Sequence, residues 1–223
     1  MLRIAIDMLV GDRAKYLALV IGLSFGALLL TQQSSIFFGL LKRSTGQLQN
    51  IGQPDLWVAD EETYYIGNVR PMDRDVLNRV RSTPGVEWAE PIFIARATAG
   101  LPDGTFKQIS LIGLERSTLV GRPPMILEGD LDNLRLPDAV MVQDSARPDL
   151  GNPEIGDTLI LNDRRAIVTG FCRVQSGLQS DAILYTTMEN ALSYVPPGRR
   201  TLSFVLVGVR DGTPIETVAS RIS

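Results

Sequence analysis

The chain opens on an alternation of apolar and charged positions that soon gives way to an uninterrupted apolar run. Leu2, Ile4, Ile6, Leu9 and Val10 alternate with Arg3, Asp7 and Asp12, a pattern that predicts a short amphipathic, interfacial helix over residues 1–15. From Tyr16 to Leu41 no residue is charged, while Arg13 and Lys15 stand just before this stretch and Lys42 and Arg43 just after it. As a helix it measures about 39 Å, enough to cross a hydrocarbon core of about 30 Å with some tilt. A transmembrane helix is therefore expected over residues 16–41. Its most apolar part is Leu17–Leu30. Thr31, Gln32, Gln33, Ser34 and Ser35 form a polar notch before Ile36, Phe37 and Phe38, and the small residues Gly22, Ser24, Gly26 and Ala27 suit close helix packing in a membrane. Two rival readings exist. A cleaved signal peptide would use Arg3–Lys15 and Leu17–Leu30, but no A-x-A-like site follows and the apolar pattern resumes at Ile36. A buried helix of a soluble protein would not need so long a charge-free stretch. Arg3, Arg13 and Lys15 before the span, against Lys42 and Arg43 after it, lean toward a cytoplasmic N-terminus.

From residue 46 the pattern changes to that of a folded domain with alternating strands and short helices. Asp55–Asp60 reads as a short strand. Asp73–Arg81 carries Val76, Leu77 and Val80 at helical spacing, with Asp73 as N-cap and Pro84-Gly85 as the stop. Val86–Thr98 and Phe106–Leu114 read as strands joined by the turn Pro102-Asp103-Gly104. A β-rich lobe is expected over about 125–180: a strand at Ala139–Val142, a polar loop or helical turn at Asp144–Gly151, and a hairpin from Thr158–Leu161 through Asn162-Asp163 into Ala166–Val174. Ala182–Thr186 is a further strand and Met188–Ser193 a short helix. Thr201–Val209 is a strand, and Pro214–Ile222 a helix opened by proline. Because a strand–helix unit ordinarily buries its apolar face against a following element, the chain is expected to be a fragment of something longer. The fold class is α+β: one N-terminal transmembrane helix, then a mixed α/β extracytoplasmic domain over 46–223, made of a strand–helix–hairpin lobe and the β-rich lobe.

Composition narrows the function. There are 223 residues, 44% of them apolar, with 22 Lys and Arg, 25 Asp and Glu, one Cys and no His. That apolar content supports a sizeable core. A net charge of −3 argues against a nucleic-acid partner. Without His there is no imidazole base, no Ser-His-Asp or Cys-His pair and no His-ligated metal. A lone Cys excludes an internal disulfide and a Cys-rich zinc site. No catalytic, cofactor-binding or metal-binding residue is expected, and no cofactor.

The side chains that could still carry chemistry have structural explanations close at hand. Asp157 follows Gly156 at a strand entry, where a carboxylate satisfies backbone N–H groups. Asp60, Glu61 and Glu62 could hold a cation, or form a solvated loop. Arg164-Arg165 and Arg199-Arg200 could meet an adaptor or an anionic surface, or be solvated turns. Cys172, between Phe171 and Arg173, reads as a small half-buried residue rather than a reactive thiol. Trp57 and Trp88 read as core, whereas Tyr64 and Tyr65, after the acidic run, are candidates for a contact. Gly121, Pro123 and Pro124 read as a loop, because no P-x-x-P is present.

Four features, in order, resemble the N-terminal half of FtsX/MacB-type ABC transporter permeases. They are the amphipathic start leading into one span (Leu2–Leu41); Thr83-Pro84-Gly85-Val86 followed by Glu90-Pro91; Ile109–Leu114; and Ile155-Gly156-Asp157-Thr158-Leu159-Ile160-Leu161 followed by Ile167-Val168-Thr169-Gly170-Phe171. The last is similar to the "G-D-T-hydrophobic … V-x-G" hairpin of the MacB-like periplasmic core. Leu136–Val142 and Ser145-Ala146-Arg147-Pro148 resemble the DevC-like exporter branch. The resemblance covers essentially the whole chain. It implies a bacterial inner-membrane protein with a cytoplasmic N-terminus and a periplasmic main domain. The implied partners are a cytoplasmic ABC ATPase, a membrane-fusion adaptor, an outer-membrane channel, the lipid bilayer and a second permease copy. Such permeases continue into three more spans that this sequence does not contain, and no G-x-x-x-x-G-K-[ST] loop occurs, so nucleotide would be handled by another subunit. The leading expectation is a non-catalytic permease component of an exporter. The alternative is a single-span sensor or adaptor with an extracytoplasmic binding domain, and a carboxylate-dependent hydrolase is the enzymatic rival.

Overall fold

A computed structural model of the chain describes residues 11–63, 69–175, 181–196 and 202–222. Most of the expected interfacial helix (residues 1–10), together with Tyr64, Tyr65, Arg199 and Arg200, lies outside the described residues. The chain divides into two units, Met1–Ser44 and Thr45–Ser223.

The first unit is carried by helix α1 (Arg13–Gln49). Its start is fixed by Asp12, whose carboxylate accepts from the Lys15 N–H at 3.3 Å and whose carbonyl accepts from the Tyr16 N–H at 3.0 Å. Arg13–Leu41 is long and apolar enough to cross a membrane, and none of it is buried. In the polar notch, Thr31 and Ser34 donate their hydroxyls to the Ala27 and Leu30 carbonyls, each at 2.8 Å. This back-bonding satisfies both hydroxyls within the helix.

The second unit is a mixed α/β sheet domain. In chain order its elements are β1 (Leu56–Val58), α2 (Arg74–Arg81), β2 (Val86–Gly100), β3 (Phe106–Leu114), β4 (Met125–Gly129), β5 (Ala139–Gln143), β6 (Thr158–Leu161), β7 (Arg164–Arg173), β8 (Ala182–Thr187), α3 (Met188–Ser193), β9 (Phe204–Val209) and α4 (Ile215–Ile222). Asp73 caps α2 as expected, accepting from the Arg74 N–H at 3.0 Å. The β2–β3 hairpin pairs Ile92 with Leu114 through Gly100 with Phe106. Asn162 and Asp163 both have positive φ, 46° and 63°, the geometry a two-residue hairpin needs if its turn is to match strand twist. One strand escapes the sequence pattern. Gly121, Pro123 and Pro124 lie in a loop, but residues 125–129 directly after them pair antiparallel with β7. That pairing depends on glycine. A Cβ on Gly129 (φ +85°) would collide with the Thr169 carbonyl oxygen, and one on Gly170 would lie 3.1 Å from the Met141 side chain and still closer to the Glu128 carbonyl oxygen.

The nine strands run β1-β9-β2-β3-β8-β5-β7-β4, and β6 pairs with both β2 and β7. Through β6 the hydrogen bonding closes into a ring, β2-β3-β8-β5-β7-β6, which removes the free edges those strands would otherwise present. β3 also pairs in parallel with β8, Ile109 with Ala182 through Leu114 with Thr187. Alternation along each strand sorts side chains to two faces. Ile109, Leu111, Val140, Val142, Ala182 and Leu184 enter one core with Phe93, Val168 and Phe171. Ile112, Leu114, Met141, Ile183 and Tyr185 enter a second with Ile51, Phe204 and Leu206. A third core joins Val80 of α2 and Val218 of α4 to Val205, Val207 and Val209 of β9.

Candidate functional site

The residues directly after α1 are locked into the second unit, and this anchor is the candidate site. Asn50 is 3% exposed although polar. Its Nδ2 donates to the Gln175 carbonyl at 2.8 Å, and its Oδ1 accepts from the Gln175 N–H at 2.8 Å. One side-chain amide thus imitates a strand partner for a residue 125 positions away, just past the end of β7. Ile51 follows at 3% exposure inside the second core. Gln53 Oε1 accepts from the Gly121 N–H at 2.8 Å, and Gly121 needs its positive φ of 90° to present that group. Gln143, 2% exposed at the end of β5, grips the same region from the other side. Its Nε2 donates to Ser145 Oγ at 2.8 Å and to the Val174 carbonyl at 3.4 Å, while its Oε1 accepts from the Ile183 N–H at 3.2 Å. Asn50 is thereby bonded to the backbone just past β7 and Gln53 to the Gly121 loop, while Gln143 ties the end of β5 to Val174 and Ile183; such directional bonds strain or break rather than slide.

The expected candidates are scattered and mostly held in structural roles. Asp157 Oδ2 accepts from the Glu154 N–H at 2.8 Å. Asp60 Oδ1 accepts from the Glu62 N–H at 3.0 Å, and Glu62 pairs with Arg70 at 2.8 Å, both exposed. This acidic loop borders an open groove of about 830 Å³ beside β1, with Val76 of α2 and Ile222 of α4 on its other wall. Arg165 pairs with Asp138 at 3.0 Å, and Arg164 lines a second groove with Arg96, Asn162 and Tyr194. Cys172 is fully buried, and burial pushes its thiol pKa up to about 12. Trp57 packs edge-on against Phe204, with ring centroids 5.5 Å apart. Trp88 lies over Gly208, where any side chain would strike the indole. Among the described residues no group of three His, Cys, Asp or Glu is placed to hold a metal. The anchor itself, Asn50, Gln53, Gln143 and Gln175, left no signal in the sequence beyond its position after the span.

Comparison with known proteins gives a consistent result. The MacB-like periplasmic core domain family matches residues 17–223. The periplasmic region of MacB from Actinobacillus actinomycetemcomitans superposes with a TM-score of 0.59 at 14% identity, over 78% of this chain and 83% of that one. The extracellular domain of the ABC-type transporter YknZ from Gram-positive bacteria gives 0.54 at 15% identity, over 75% and 88%. No curated protein matches the chain by sequence.

Proposed function

The chain belongs to the MacB-like periplasmic core domain family, and from that premise we propose that it is a permease component of an ABC-type exporter of the DevC-like kind. In this reading α1 spans the bacterial inner membrane, with the N-terminus in the cytoplasm and the sheet domain on the far side. The chain performs no catalysis. A cytoplasmic ABC ATPase binds and hydrolyses nucleotide, and the resulting movement reaches the sheet domain through the membrane. There the domain works with a membrane-fusion adaptor and an outer-membrane channel, as one of two permease copies.

The observation that carries this reading is the anchor. The helix that carries the candidate span ends at Gln49, and of the two residues that follow it Asn50 bonds the Gln175 backbone and Ile51 lies in the second core. A sensor tethered merely for localisation needs only a flexible linker there. Movement of a helix end attached this way loads the Gln175 backbone just past β7, beside the Val174 carbonyl that Gln143 of β5 holds.

Affinity capture of the intact complex from native membranes tests it. The expected result is co-purification of an ABC ATPase and a fusion-type adaptor with this chain. Recovery of the chain with neither refutes the permease reading and favours the single-span sensor.

A further inference from the structure

We propose that the groove beside the β2–β6 seam binds an acidic peptide in extended conformation, which pairs its backbone with Arg96 and sets its carboxylates against Arg96 and Arg164. The inference concerns the sheet domain alone and does not depend on the permease reading. The seam is short. On this side β2 is covered by β9 up to Ile92 and by β6 only at Ala99 and Gly100. Two side chains cover most of the interval by imitating a strand. Ser203 Oγ accepts from the Ile94 N–H at 2.8 Å and donates to the Ile94 carbonyl at 3.2 Å. Asn162 Oδ1 accepts from the Thr98 N–H at 3.0 Å, and the Asn162 N–H donates to the Thr98 carbonyl at 2.9 Å.

Between these two, Arg96 is left open. The β2–β3 register runs without interruption from Ile92 to Gly100, so Ile94, Arg96 and Thr98 direct their N–H and C=O groups the same way, away from β3. Neither group of Arg96 has a hydrogen-bond partner among the described residues, and the residue is exposed. An open N–H and C=O on one strand residue match the C=O and N–H of one residue in another extended chain, the pairing by which peptides add to sheet edges. A free carboxylate or phosphate brings acceptors but no donor for the Arg96 carbonyl, so the edge favours a peptide over a simple anion.

Charge selects the peptide's side chains. The groove has a volume of about 780 Å³, and its walls carry two arginines and, among the described residues, no carboxylate. Ligand clefts are commonly of this size. The two arginines serve opposite faces of the seat. Ala95 and Ala97 turn toward the first core, so Arg96 between them points to the outer face. Arg164 pairs with Leu161, which is buried in that same core, and so lies on the inner face. Asp181 stands 3.3 Å from the Arg96 guanidinium. The Arg164 side chain has no ion pair or hydrogen bond among the described residues, which leaves it to pair with a ligand. Successive residues of an extended segment alternate between faces, so two adjacent acidic residues meet one arginine each, in the geometry that guanidinium and carboxylate share.

Binding of a labelled peptide to the full chain in nanodiscs of zwitterionic lipid tests the proposal. The probe is capped Thr-Glu-Glu-Thr carrying a fluorophore, followed by anisotropy at low ionic strength. Saturable binding below about 1 mM is expected. The Thr-Gln-Gln-Thr analogue, and an analogue N-methylated at both Glu residues, should each bind about 2- to 10-fold more weakly, the first for lost ion pairs and the second for the lost donor to the Arg96 carbonyl. Arg164→Gln removes no contact within the described chain and should weaken binding about 2- to 5-fold, as loss of an exposed ion pair does; Arg164→Glu should weaken it further. Hydrogen exchange at saturating peptide locates the backbone contact. The Arg96 amide should slow, and the Thr98 amide, already bonded to Asn162, should not change. Absence of saturation by about 1 mM, equal affinity for either analogue, indifference to Arg164→Glu, or an unchanged Arg96 amide overturns the proposal. Displacement by inorganic phosphate as efficient as by unlabelled peptide also overturns it, because the seat would then be a simple anion site.

Discussion

Replacing Asn50 with Ala removes the anchor at a single atom group. The side chain makes two 2.8 Å bonds to the Gln175 backbone and is 3% exposed. Each intramolecular hydrogen bond contributes about 0.5–1.5 kcal/mol net, and a buried group left unpaired costs about 1–3 kcal/mol. Truncation orphans one N–H and one C=O of Gln175. Because Gln175 is itself exposed, water recovers part of that loss, and a total of roughly 2–3 kcal/mol is expected. For a domain of this size, about 2–4 °C of melting temperature corresponds to each kcal/mol. A fall of about 4–12 °C should therefore appear when the full chain is melted in detergent or nanodiscs. Hydrogen exchange supplies the local readout: the Gln175 amide should exchange much faster in the variant, while amides in the middle of β3 should not. Asn50→Asp keeps one acceptor for the Gln175 N–H and loses the donor, so it should fall between Ala and wild type. A melting temperature within 1 °C of wild type, together with an unchanged Gln175 amide, would refute the reasoning.

Other positions give independent checks. Tyr185 is fully buried and its hydroxyl has no partner among the described residues, so Tyr185→Phe should leave stability unchanged or raise it by up to about 1 kcal/mol; a loss of that size in a thermal melt would show that the hydroxyl is satisfied. Cys172, with its thiol pKa pushed up to about 12 by burial, should resist iodoacetamide at pH 8 in the native chain and react at once in denaturant; native labelling would contradict its placement. Glu90 is held above its ordinary 4.5 chiefly by burial, with Arg81 opposing. The folded state therefore keeps this proton more tightly than the unfolded one, and stability from this group declines as pH rises from 4.5 through the raised value. Glu90→Gln should flatten that slope in pH-dependent melts, and an unaltered slope would exclude Glu90 as its source. Gly208→Val would drive a side chain into the Trp88 indole, so red-shifted tryptophan fluorescence and a cost of several kcal/mol are expected; wild-type fluorescence and melting would refute that packing.

Local pattern made much of this fold legible. The charge-free stretch before Lys42, the Asp73 cap, the Asn162-Asp163 turn and the apolar runs of β2, β3, β7 and β9 each express a rule acting within a few residues. What escaped reading depends on distance. β4 is only five residues long, follows Pro123-Pro124, and is defined by the close backbone approach at Gly129 and Gly170. The parallel pairs β3–β8 and β5–β7 join segments far apart in sequence, and nothing in either strand names its partner. The same holds for the site. The acidic run and Arg164-Arg165 stand out as charge, yet the run lies in an exposed turn and Arg165 in an ion pair with Asp138 at the start of β7. Asn50 and Gln143, ordinary amides in the sequence, matter because folding buries them beside strand ends that lack backbone partners.

The central claim is that nucleotide-driven movement enters the sheet domain through the anchor after α1. Its most direct test is hydrogen exchange on the captured complex, comparing the nucleotide-free state with a state trapped by ATP and vanadate. The account predicts altered exchange at residues 50–53 and at the Val174, Gln175 and Ile183 amides, with the interior of β3 unaltered. Identical exchange at those amides in the two states, in a complex whose ATPase is shown to be trapped, would contradict it.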